Sequence, residues 1–158
     1  MAMCYWICEG IGFEQGNLLP LLDGNKLKVL FNEVTENDWE KEWEKEWEND
    51  YGVSTLPHDK TVEAVMAFID GSDFNNKLPE LLQYKDEKGV LNCANDNDGQ
   101  YFLLYSPRYP WNESGGFTSQ YEVVKYLYDL LRPFCRDDVT KKELLAIIDV
   151  DIYAHGCG

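Results

Sequence analysis

A chain of 158 residues, 44% apolar and 14% aromatic, is long enough for one domain with a real core and too apolar to stay disordered. Its formal net charge of −15 excludes a basic footprint for DNA or RNA and disfavours anionic membranes. Natural partners are basic: a nucleic-acid-binding protein, a cationic peptide or metal ions; the plainer reading is that acidity serves solubility.

Residues 3–8 are aromatic and β-branched and predict a buried strand, ended by Gly10 and Gly12. Residues 17–22 read as a short helix or turn stopped by Asp23-Gly24. Leu27, Leu30, Phe31 and Val34 recur at helical spacing and predict a helix over 26–34. Thr35-Glu36-Asn37-Asp38 then breaks the chain, with Asn37 or Asp38 as the next N-cap.

The stretch Asp38–Asp50 reads DWEKEWEKEWEND. Trp39, Trp43 and Trp47 recur every four residues, a narrow helical stripe spanning about 80°. Glu and Lys are strong helix formers, so a helix is the first reading. A strand with one purely acidic face is the second, since acids sit at even positions and Trp and Lys at odd ones. Residues 36–50 hold eight acids and two bases, which is −6 of the chain's −15. The helix carries six like-charge i,i+4 pairs, together unfavourable by about 1–3 kcal/mol, which Trp burial exceeds. The plain reading is a solvated helix packed through its Trp stripe. The sharper one is a carboxylate array for a basic surface, formed by Asp38, Glu40, Glu42, Glu44, Glu46, Glu48 and Asp50.

Beyond the loop from Tyr51-Gly52 to Pro57-His58, residues 59–70 predict a helix ended by Gly71, and residues 78–84 a short one with Pro79 in its first turn. Val90–Ala94 and Tyr101–Tyr105 flank Asn95-Asp96-Asn97-Asp98-Gly99 and predict a β-hairpin. Residues 106–118 form a Pro/Gly/Ser-rich loop containing Tyr109 and Trp111. Ser119-x-x-Glu122 and Thr140-x-x-Glu143 are capping boxes opening helices to about Leu131 and Ile148. The tail 149–158 reads as irregular. The expectation is a single α+β domain over 1–158: a small antiparallel sheet, made of the N-terminal strand plus the hairpin, packed against several helices.

Catalytic and metal motifs fail on inspection. Aligning Gly99 to an EF-hand loop puts Ala94 and Tyr105 where calcium ligands are required. Cys4, Cys8, His155 and Cys157 have no zinc-site spacing, and neither His58 nor His155 has a nucleophile signature nearby. Gly10-x-Gly12 lacks the third glycine of a phosphate loop. No enzymatic activity, cofactor or metal is expected. Five cysteines without a secretory signal imply free thiols in the cytoplasm.

Three pieces carry a resemblance: Cys4 to Gly12, Tyr105-Ser106-Pro107 to Pro110-Trp111-Asn112, and Asp151-Ile152-Tyr153 to Gly156-Cys157-Gly158. They resemble small uncharacterised acidic proteins of phages and mobile elements of Firmicutes, about a third of the chain, with no implied activity. In size and charge the chain looks like DNA-mimic proteins such as antirestriction proteins and anti-CRISPRs, which share charge rather than motif. The function expected is an acidic inhibitor that binds a basic nucleic-acid-binding protein as a nucleic-acid mimic, without itself binding nucleic acid or membrane. The alternative is a non-enzymatic accessory module that uses loop 105–112 with Tyr109 and Trp111 as anchors.

Overall fold

The computed structural model describes residues 5–53, 61–65, 67, 78–83, 91–95, 100–105 and 116–157. Its centre is an antiparallel sheet of four strands in the order β2-β3-β1-β4. β1 is Tyr5–Glu14, β2 is Leu91–Asn95, β3 is Gln100–Tyr105 and β4 is Asp149–Cys157. The fold is α+β, with the N-terminal strand and the hairpin paired as expected.

Two expectations about the sheet need correction. β1 does not end at Gly10 and Gly12 but runs through them to Glu14. A Cβ at Gly10 would collide with the Leu104 carbonyl oxygen, and one at Gly12 with that of Phe102. These glycines admit a close neighbouring strand rather than a turn. Nor is the tail irregular. As β4 it pairs with β1 from Tyr5 opposite Cys157 to Gly12 opposite Asp149, with a bulge where Val150 and Asp151 face Ile11. Its partner is almost the whole chain away, so nothing local in the tail announces the pairing.

Ile11, Phe13, Phe102, Leu104 and Leu91 are all buried in the main core. Phe13 and Phe102 sit opposite each other in the register and meet edge to face, centroids 5.5 Å apart. Leu103 opposite Gly12, and Ile152 opposite Gly10, are also buried but stand apart from that core cluster. The strand is not buried throughout: Ile7 is 54% exposed.

The first helices follow directly. α1 (Gln15–Leu18) runs into a 3-10 turn at Leu19–Leu21, and α2 is Gly24–Thr35. Asp23 caps α2, its Oδ1 accepting from the Asn25 and Lys26 amides. Gly24 is required by packing, because a Cβ there would lie 2.7 Å from the Thr61 carbonyl carbon. α2 ends on Glu36 at φ 55°, its amide and that of Asn37 reaching back to Glu33 and Asn32 in a Schellman pattern. α3 is Glu40–Tyr51, closed by Gly52 at φ 72°.

Residues 61–65 are helical, and α4 is Leu78–Leu82. α5 is Gln120–Leu131 and α6 is Lys141–Ile147. The box expected at Ser119 is only half formed: its Oγ accepts from the Glu122 amide, but the Glu122 carboxylate takes the Thr118 amide instead of Ser119's own. The Thr140–Glu143 box is complete. Among the described residues no helix is long and apolar enough to cross a membrane.

Candidate partner-binding surface on the acidic helix

The acidic segment is a helix, which rejects the strand alternative. Its N-terminal cap is Trp39 rather than Asn37 or Asp38, but Asp38 still serves the helix end: its Oδ1 accepts the Glu40 amide at 3.0 Å. The last residues of α2 and the Trp stripe of α3 form one aromatic joint. Trp43 is fully buried and Trp47 is 4% exposed, while Trp39 is half-buried. Trp43 packs edge to face on Phe31 at 5.8 Å and lies 6.0 Å from Trp47. The Trp39 indole N–H donates to Thr35 Oγ1 at 2.8 Å, and that of Trp43 to Asn32 Oδ1 at 3.3 Å. Burying two indoles offsets the like-charge repulsion along the helix.

With the stripe fixed inward, helical geometry distributes the carboxylates. Glu40, Glu44 and Glu48 form one row, centred about 100° to one side of the stripe, and Glu42, Glu46 and Asp50 another, centred about 60° to its other side. Lys41, Lys45 and Asn49 lie between them, on the side opposite the stripe. Asp38 precedes the helix. All seven acids and both lysines are exposed. Each row advances about 6 Å per carboxylate, and the two together place one about every 3 Å along the axis. A single strand of duplex DNA places one phosphate about every 3.4 Å along the duplex axis. One member of the array is already engaged: Glu40 Oε1 accepts from Lys28 Nζ of α2 at 3.1 Å, and the same ammonium stands 5.4 Å from the Trp47 ring centroid.

The other sequence candidates, Tyr109 and Trp111 with most of their loop, lie outside the described residues, as do Cys4 and His58. The sheet register sets Cys8 opposite Ala154 and Cys157 opposite Tyr5, so the two cysteines are not paired across the strands. Among the described residues no group of three or more His, Cys, Asp and Glu is placed to hold a metal.

Sequence reasoning missed a second surface. A groove of about 1350 Å³ runs between α2 and α5. Leu30, Leu82, Tyr126, Leu130 and Phe134 contribute its apolar lining. Tyr126 is held from behind by Phe117, centroids 5.0 Å apart, and its hydroxyl accepts from Gln83 Nε2 at 3.3 Å. One end is closed by pairing of the α2 entry with the segment after α5. The Asp23 amide donates to the Phe134 carbonyl at 2.8 Å, and the Arg136 amide to that of Leu21 at 2.9 Å. Lys26 Nζ donates there to the Cys135 carbonyl and to Asp137, whose carboxyl is held below the usual carboxylate range by that hydrogen bond and by the Lys26 charge. The only sequence signal was two apolar residues off their helices' buried stripes, Val29 and Tyr121.

No family model matches the chain, and no curated protein or solved structure shows significant similarity to it.

Proposed function

We propose that the chain is an acidic, non-enzymatic inhibitor that acts in the cytosol by occupying the basic channel of a nucleic-acid-binding protein, with α3 carboxylates taking the place of phosphates. The observation that carries this reading is the pair of exposed carboxylate rows on a helix pinned by two buried tryptophans. A basic channel gains affinity by neutralising charge along a track. Carboxylates on a rigid helix meet that track at little ordering cost, and the chain's charge of −15 steers the encounter. The assignment is to Asp38, Glu40, Glu42, Glu44, Glu46, Glu48 and Asp50.

The test replaces Glu42, Glu44, Glu46 and Glu48 with glutamine. Glutamine keeps helix propensity and removes like-charge pairs, so folding stability stays within about 1 kcal/mol. Wild type and variant are immobilised and challenged with bacterial lysate at low and high salt, and captured proteins are identified by mass spectrometry. The expected result is capture of nucleic-acid-binding proteins by the wild type, lost in the variant, lost at high salt and displaced by duplex DNA. Equal capture by the folded variant, or capture indifferent to DNA, overturns the reading.

A further inference from the structure

We propose that the groove between α2 and α5 is a second docking site, built to take a cationic amphipathic helix from a partner protein. The inference does not depend on the acidic helix, because the residues involved lie on a different flank of α2. Lys28, Phe31, Asn32 and Thr35 contact α3, whereas Lys26, Val29, Leu30 and Glu33 line the groove.

Three observations specify the occupant. The first is size. A groove of about 1350 Å³ is larger than the roughly 300–1,000 Å³ of ordinary small-molecule pockets. Its described lining runs over most of α2 and α5, each 12 residues or about 18 Å long, which matches about three turns of a third helix. The second is the apolar content. Buried Leu30, Leu82, Tyr126 and Leu130 contribute to the lining together with two residues that have no reason to face water: Val29 is 62% exposed and Tyr121 75%. Exposed apolar groups along a groove mark an interaction site, and a tyrosine there is a natural anchor.

The third is charge. Among the described residues the lining holds four carboxylates, Asp23, Glu33, Glu122 and Asp129, against two ammonium groups. Lys125 pairs with Asp129 inside the lining at 3.6 Å, and Lys26 pairs with Asp137 outside it at 2.7 Å, so four carboxylates against two ammonium groups leave these residues a formal charge of −2. Among the described residues the rim therefore carries net negative formal charge around an apolar lining. Its complement has apolar residues at i, i+3, i+4 and i+7 on one face and Lys or Arg on the flanks, which is helix-in-groove recognition.

The experiment uses the full chain and a synthetic 16-residue leucine–lysine peptide with leucines at helical spacing. A peptide of the same composition with the leucines scrambled off that spacing is the control. Binding is followed by fluorescence anisotropy at physiological salt. The patterned peptide is expected to bind saturably and the scrambled one far more weakly. Val29→Lys combined with Tyr121→Lys alters exposed residues only, so the fold is retained, and weakens patterned binding by at least about tenfold. The four-glutamine variant of α3 leaves it within about twofold. The proposal is overturned by absence of saturable binding, by equal binding of both peptides, by a Val29→Lys/Tyr121→Lys variant that binds as wild type does, or by a loss in the α3 variant as large as in the groove variant. That last outcome would leave the reading of α3 standing, whereas failure of the α3 reading leaves the groove untouched.

Discussion

Lys28 Nζ lies 3.1 Å from Glu40 Oε1, so the first carboxylate of α3 is tied to α2 before any partner arrives. The Lys28 side chain is only 13% exposed, and it also covers the Trp47 ring. Glu40 therefore offers a partner less free charge than Glu44, one turn further along the same row. Glu40→Gln is expected to weaken binding to a basic partner less than Glu44→Gln does, in side-by-side titrations at low salt. The ion pair itself contributes about 0.2–1 kcal/mol to folding. Charge reversal at Glu40 sets a lysine against the half-buried Lys28 and confounds folding with binding, so it is the wrong site for testing the array.

The aromatic joint predicts a sharp difference between two tryptophans. Trp43 is fully buried and its indole N–H is bonded to Asn32, so Trp43→Ala is expected to lower stability by about 3–5 kcal/mol in urea denaturation. Among the described groups, the buried indole N–H of Trp47 has no hydrogen-bond partner. Trp47→Phe removes an unsatisfied donor along with some volume and is expected to change stability by less than about 1.5 kcal/mol.

Glu36 adopts the left-handed conformation, φ 55°, at the end of α2. Glycine reaches that region without steric cost. Glu36→Gly is expected to stabilise the fold by about 0.5–1 kcal/mol, read as a higher urea midpoint with an unchanged slope. A lower midpoint would show that the Glu36 side chain contributes more than its backbone strain removes.

Cys135 is fully buried, its thiol donating to the Leu131 carbonyl at 3.4 Å, and burial pushes its pKa up, only partly opposed by Arg132 and Lys26. The sign follows from linkage. The folded state holds the thiol proton more tightly than the unfolded state, so the contribution is complete below the unfolded thiol pKa of about 8.5. It is lost as pH rises through the higher folded value. Wild type is expected to lose stability above that pH more steeply than Cys135→Ala. Cys135 is also expected to resist iodoacetamide at pH 8.5 until the chain unfolds, as peptide mass spectrometry would show.

What the sequence determined by itself is what local physics decides. Four-residue Trp spacing with helix-forming Glu and Lys is enough to define α3 and to turn its carboxylates outward, because helical geometry leaves no other inward face. The Thr140–Glu143 cap and the paired strands β2 and β3 are likewise written within a few residues of where they act. Tertiary structure decided the rest. Only strand pairing reveals that Gly10 and Gly12 make room for β3, and that residues 149–157 form an edge strand on β1. The Lys28–Glu40 pair joins two helices across a break, so i,i+4 arithmetic within α3 never meets it. The groove is a property of the space between α2 and α5, whose positions depend on long-range pairing of Leu22 with Cys135. Local propensity sees neighbours along the chain, and these features are made by neighbours in space.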